Sequence, residues 1–209
     1  MRKVFFVDFD GTITRQDTCT AMVQAFARDG WQELNQLWER KELSTEECAN
    51  RTFELFRATP SDLANLMNSM EIDDYFIDFL DLCRSNDYQV YILSDGYDFN
   101  IQTILHKYHI DVPYYANRLV YTNGFKIECP YFNESCGKCG TCKTNLMSSL
   151  GGNECQTIYI GDGYSDTCPA SHANVVFAKD ELYNFCLDNQ IHAIQYKNFN
   201  DIIRNLTIF

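Results

Sequence analysis

The sequence lacks a basic tract. Seventeen Lys and Arg residues stand against 29 Asp and Glu, for a formal charge of −12 at neutral pH. A phosphate backbone rewards clustered cationic side chains, so nucleic acid is excluded as the expected partner. An anionic ligand must find its counter-charge locally, from a metal ion, one or two lysines or helix N-termini. Also absent is any apolar run approaching the roughly 18 residues of a membrane span. The N-terminal apolar run stops at Asp8, too short for a signal peptide in spite of Arg2 and Lys3. A cytoplasmic protein with no membrane partner is expected. Internal repeats, low-complexity tracts and linkers are missing too, which leaves 209 residues for one large domain or a core with a smaller insertion.

What is present starts at Val4-Phe5-Phe6-Val7, which runs straight into Asp8-Phe9-Asp10-Gly11-Thr12. A continuous apolar run bounded by Gly and Thr predicts a buried strand of a parallel sheet. Asp8 and Asp10 are spaced i, i+2, so they share a side where that strand ends, the place where open α/β sheets bind ligands. Two like charges held side by side are costly without a cation or a shared proton. The stretch therefore asks for an oxygen-seeking ion such as Mg²⁺.

Beyond Thr14 the pattern turns helical, with helices expected over 18–28, 31–40, 44–57 and 60–70. Ser44 with Glu47 three residues on is a capping-box pattern, and Thr59 before Pro60 fits an N-cap with Pro at the first helical position. Alternating α/β text resumes near Ile72. It predicts helices over 74–85, 98–108, 143–150, 180–187 and 200–206. Strands are expected over 88–93, within 112–121, and over 157–160, 174–177 and 191–195. Asn123-Gly124 marks a hairpin. Such alternation argues for an α/β fold, a mostly parallel sheet with helices on both faces.

Three expected strands end in polar, Gly-containing turns: Asp8-Phe9-Asp10-Gly11-Thr12, Ser94-Asp95-Gly96, and Gly161-Asp162-Gly163 followed by Asp166. Parallel strands deliver all three to one edge, and Lys143 opens a predicted helix before the third. Each turn alone reads as an ordinary solvated loop or helix cap. In this order, each after a buried strand, they form a constellation.

That constellation resembles the four motifs of the haloacid dehalogenase superfamily of aspartate-nucleophile phosphatases, and the resemblance covers nearly the whole chain. It implies a Rossmann-like core over 1–14 and 73–209 and an inserted helical C1 cap over 15–72. Asp8 would be the nucleophile that forms an aspartyl-phosphate. Asp10 would be the general acid and base. Lys143 would neutralise nucleophile and phosphate. Ser94, with Asp95, Gly96 and Lys143, would bind the phosphate. Mg²⁺ would be held by Asp8, Asp10 through its backbone carbonyl, and Asp162, with Asp166 behind them holding a metal-bound water or anchoring Lys143. Ile92-Leu93-Ser94-Asp95-Gly96-Tyr97-Asp98, the Cys-rich run before Lys143, and Asn174-Val175-Val176-Phe177-Ala178-Lys179 are similar to one branch of the superfamily. That branch contains a methionine-salvage phosphatase acting on 2-hydroxy-3-keto-5-methylthiopentenyl phosphate. Phosphoserine and phosphoethanolamine/phosphocholine phosphatases are its neighbours. The resemblance implies Mg²⁺-dependent hydrolysis of a small phosphorylated metabolite, by a monomer or homodimer. Phosphotransfer, as in a mutase, and a non-catalytic metal-binding scaffold are the readings from other classes.

The ten cysteines include Cys129, Cys136, Cys139 and Cys142. Four thiols at this spacing can build a structural Zn²⁺ site. Reduced thiols that position Lys143 are placed ahead of that reading, and disulfides behind it. Trp31 and Trp38 are expected to pack the cap. His106 and His109 are expected on one helix at the surface, and His172 at a helix end. Asp17, Arg51 and Arg57 are expected to be solvated or in surface ion pairs.

Overall fold

The computed structural model describes residues 2–152 and 155–207. Met1, Asn153, Glu154, Ile208 and Phe209, which the sequence reading assigns to the core, lie outside the described residues. The strands are β1 (Arg2–Val7), β2 (Gln89–Tyr97), β3 (Tyr114–Tyr121), β4 (Phe125–Glu128), β5 (Cys155–Gly161), β6 (Val175–Ala178) and β7 (Ala193–Gln195). They form one sheet in the order β4-β3-β2-β1-β5-β6-β7. All neighbours are parallel except the β3–β4 hairpin.

β1 is the middle strand, which explains its unbroken apolar run: both faces are covered. Phe5 and Val7 join one core with Ile92, Ile158 and Phe79. Val4 and Phe6 point the other way, into a second core with Tyr159, Val176 and Leu182. From β1 the chain goes to β2 on one side and later to β5 on the other. The crevice between β1 and β5 is thus a topological switch point, where side chains at strand ends have room to meet a ligand.

Between β1 and β2 come five helices. The first four, α1 (Thr18–Phe26), α2 (Trp31–Glu39), α3 (Thr45–Phe53) and α4 (Pro60–Ser69), form a helical block. The chain leaves the sheet and returns through an antiparallel bridge between Thr14 and Ile72. Both expected caps are present: Ser44 and Glu47 form a capping box before α3, and Thr59 and Asp62 form one around Pro60 of α4. The block shares its core with the sheet, since Met22, Ala49, Phe53, Leu63 and Met67 belong to the same buried cluster as Phe5 and Val7. The other helices are α5 (Phe76–Ser85), α6 (Asp98–Lys107), α7 (Lys143–Gly151), α8 (Thr167–Ala170), α9 (Asp180–Asp188) and α10 (Phe199–Thr207). Among the described residues no helix is long and apolar enough to cross a membrane.

The expected turn at Ser94-Asp95-Gly96 differs. β2 does not stop at Leu93 but continues to Tyr97. Leu93 pairs with Tyr115 and Tyr97 with Asn117, so four steps on β2 match two on β3. The surplus residues form a bulge that bends the strand and re-aims its side chains. His109 also departs from expectation. It lies past the end of α6 with φ of 55°, so it does not share a helix with His106.

Candidate active site

β1 delivers Asp8 and Asp10 to one edge, and there their side chains part. The Asp8 amide donates to the Ile160 carbonyl at 2.9 Å, which fixes the acid beside β5. Its carboxylate is buried and meets Lys143, the first residue of α7: Nζ lies 2.5 Å from Asp8 Oδ1. The same ammonium donates to Asp166 Oδ1 at 2.6 Å and Ser165 Oγ at 2.9 Å, so all three N–H donors are used. Burial acts to lower the Lys143 pKa, but Asp166 and Asp8 outweigh it and hold the ammonium well above the usual lysine range. Asp166 is held on both oxygens. Tyr159 Oη donates to Oδ1 at 2.5 Å, and the amides of Asp162 and Gly163 donate to Oδ2 at 3.0 Å each. Asp166 is thus the anchor of Lys143.

Asp162, at the end of β5, accepts from Thr12 Oγ1 at 2.8 Å. Carboxylate oxygens of Asp8, Asp162 and Asp166 all lie within 4.8 Å of one another. Burial, and then the charge of Asp166, push the Asp8 carboxyl upward, with Lys143 opposing them. Burial and Asp166 likewise push Asp162 up to about 7. Three crowded acids with one lysine leave negative charge uncompensated, and their donors are all oxygen. The site can therefore hold a metal ion, and its donor set fits a hard divalent cation rather than a thiophilic one.

Asp10 turns away from this cluster. Its Oδ1 accepts from the Thr18 amide at 3.2 Å and from the Thr18 hydroxyl, and its Oδ2 accepts from Ser94 Oγ at 3.0 Å. Ser94 Oγ in turn accepts from the Gly96 amide at 2.8 Å. Burial, then the charge of Asp17, raise the Asp10 carboxyl to about 6 against the pull of the Thr18 and Ser94 hydrogen bonds. Two carboxyls two residues apart thus have different neighbours, an ammonium at Asp8 and neutral donors at Asp10. Two glycines make this crowding workable. Gly11 has φ of +77°, and a Cβ there would lie 2.5 Å from Asp162 Oδ2. A Cβ on Gly96 would strike the Asp10 carboxylate.

Of the other residues singled out in the sequence, Ser94 faces Asp10. Asp95 ties three parts of the molecule together: it accepts from Thr45 Oγ1 of α3 at 2.6 Å and from the Thr141 amide at 2.8 Å, and its carbonyl accepts from Asn117 Nδ2 of β3 at 2.7 Å. Cys136 and Cys139 have their sulfurs 3.8 Å apart. Among the described residues no group of three thiols draws within 4.8 Å, so the Zn²⁺ reading has no ligand set here. Hydrogen bonds, rather than a thiolate cluster, hold this loop to the helical block: the Thr45 amide donates to the Lys138 carbonyl at 3.0 Å. His172 Nδ1 lies 2.8 Å from the Cys168 carbonyl, at the end of α8.

Above these residues lies a cavity of about 480 Å³, with the sheet edge as its floor and α1, α2 and α3 on its other side. Trp31 and Trp38 line it, rather than only packing the helices as the sequence suggested, and Asp17 lines it as well as capping α1. Thr12, Thr18, Tyr159 and Ser165 are the partners that sequence reasoning missed. One signal was available: a tyrosine in a buried strand needs a partner for its hydroxyl.

The chain matches a family model described as Putative Phosphatase over residues 3–201. It is 30% identical to a 2-hydroxy-3-keto-5-methylthiopentenyl-1-phosphate phosphatase of Bacillus mycoides (strain KBAB4), over 96% of this chain and 94% of that one. A protein of the same name from Lysinibacillus sphaericus (strain C3-41) is 28% identical over 98% and 93%. The fold is similar to that of a phosphoserine phosphatase solved as a phospho-aspartyl intermediate analogue, with a TM-score of 0.72, 17% identity and 98% of each chain covered.

Proposed function

Because the chain belongs to the Putative Phosphatase family and is a phosphomonoester hydrolase of the haloacid dehalogenase type, we propose that it works through an aspartyl-phosphate on Asp8. The observation that carries this is the unequal treatment of the two acids. Lys143 takes one oxygen of Asp8 and leaves the other to attack phosphorus. Asp10, raised to about 6, protonates the leaving alkoxide and later takes a proton from the attacking water. Thr18 and Ser94 hold the Asp10 carboxyl still while it does so. Asp166 keeps Lys143 in place. Asp8 and Asp162, with the Asp10 carbonyl, would hold Mg²⁺, which when bound supplies positive charge shared between the nucleophile and the phosphoryl oxygens. The similar phosphoserine phosphatase, captured with a phospho-aspartyl analogue, supports the covalent step.

The helical block over 15–72 acts as the cap, and its closure over the cavity excludes water and bulky esters. The favoured substrate is the methionine-salvage enol phosphate, supported by the names of relatives near 30% identity. Phosphoserine is the second reading, supported by the fold likeness. Ten unbridged cysteines fit a reducing, cytoplasmic setting.

The test is phosphate release from a panel of small esters with Mg²⁺, beside Asp8→Asn. The variant is expected to lose at least about 10³-fold in kcat. Equal release by wild type and variant sinks the nucleophile assignment. Phosphate moved to another alcohol, with no inorganic phosphate formed, would replace hydrolysis by phosphotransfer.

A further inference from the structure

The wall of the cavity away from Asp8 is not phosphate chemistry. α2 contributes Trp31, Asn35 and Trp38. The tryptophans are seven residues apart, close to two helical turns, and so share a face. α2 has no fully buried residue, so that aromatic face is not consumed by the core. Trp38 is fixed from two sides. Its Nε1 donates to Thr45 Oγ1 at 3.0 Å, and its ring meets Tyr164 edge-on, with centroids 5.2 Å apart and planes at 69°. Tyr164 stands on the 3-10 turn after β5, so this pair spans from the helical block to the sheet edge beside the cavity.

The charged side chains lining the cavity are all acids, Asp17 and Glu39 on the helical side among them. Among the described residues no Lys, Arg or His lines it. The buried lysine nearby has its three donors committed to Asp8, Asp166 and Ser165. Lys41 Nζ lies 5.9 Å from the ring centroid of Tyr164, outside the lining itself. A substrate carboxylate entering here would lose water, meet no cation in the wall and face like charge, a combination that disfavours binding. An apolar chain meets two indoles.

We infer that this site selects phosphomonoesters whose leaving alcohol carries no negative charge and presents an apolar surface, and that Trp31, Asn35 and Trp38 set that choice. The inference rests on the phosphatase reading of the same site. It disfavours a leaving alcohol that ends in a carboxylate.

The experiment is steady-state phosphate release from n-butyl phosphate and from the phosphate ester of 4-hydroxybutanoate, which differ at the terminal carboxylate. Wild type is expected to favour the butyl ester by at least about tenfold in kcat/KM. Asn35→Arg, which puts a cation on the wall, is expected to narrow or invert that ratio. Glu39→Lys, at an exposed helical position, is expected to do the same more weakly and serves if Asn35→Arg fails to fold. Trp31→Ala is expected to raise KM for the butyl ester about fivefold while kcat holds within about twofold, the split of a binding wall rather than a reacting group. Equal kcat/KM for the two esters in wild type overturns the inference and leaves hydrolysis standing. So does a ratio that neither cationic variant moves. Release from neither ester, with wild type matching Asp8→Asn, overturns the hydrolase reading and the inference with it.

Discussion

The floor and the roof of the cavity are built by opposite rules. On the floor, Asp8, Lys143 and Asp166 are buried, and every donor of Lys143 is used. Two glycines allow packing that a methyl group would break. The roof helix α2 buries nothing fully, and its Trp38 meets Tyr164 edge-on. Charge development tolerates one geometry, so its groups are over-determined. On the reading proposed above, substrate shape is met by the two indoles of the roof. If the roles proposed above hold, the reaction and the choice of substrate occupy separate layers, with Thr45 and Asp95 as one point where they join.

Substitutions can break or sharpen this contrast. Lys143→Met should abolish phosphate release and also lower stability by about 3–5 kcal/mol, because Asp8 and Asp166 would be left buried without their cation. Denaturant titration alongside activity checks both halves. Gly96→Ala should push Asp10 off its position and lower kcat by about 10²-fold with a smaller effect on stability. A kcat within twofold of wild type would show that the floor yields more than its packing suggests. Thr45→Val keeps the side-chain shape but leaves the Trp38 N–H and an Asp95 oxygen without their shared partner, a cost of about 1–3 kcal/mol. It should appear mainly in KM. A collapse of kcat equal to that of Lys143→Met would erase the distinction between layers. Thr59→Ala removes a cap of α4 outside the cavity lining and should cost about 1 kcal/mol in stability, with kcat/KM unchanged. Thermal melting and the ester assay decide that case.

The floor was legible in the sequence because each of its parts is contiguous. A buried parallel strand announces itself by an apolar run, and the polar residues that follow must lie at its end. Asp8, Asp10, Lys143, Asp162 and Asp166 could be named from that logic together with a resemblance. The direction each side chain takes was not legible. That Asp10 faces Thr18 and Ser94, while Asp8 faces Lys143, depends on where α1 and α7 begin relative to the sheet. The bulge in β2 was hidden because Ser94-Asp95-Gly96 has turn composition and only its pairing with β3 reveals a strand. The roof was least legible. Trp31 and Trp38 have the spacing of core residues, and sequence spacing cannot say whether the neighbour of a helix face is another helix or an open cavity.

The central place of β1 also bears on timing. Its neighbours β2 and β5 are separated from it by long stretches of chain, so Asp8 waits for partners made much later in synthesis. Lys143 and Asp166 reach the ribosome exit only after most of the protein has emerged, and a sheet with such distant pairings forms late and cooperatively. A nascent chain ending before β5 carries Asp8, Asp10 and Lys143 yet lacks Asp162 and the Asp166 that anchors the lysine. Competence for chemistry therefore arrives as the last step of folding, and the growing polypeptide is inert until its middle strand is enclosed.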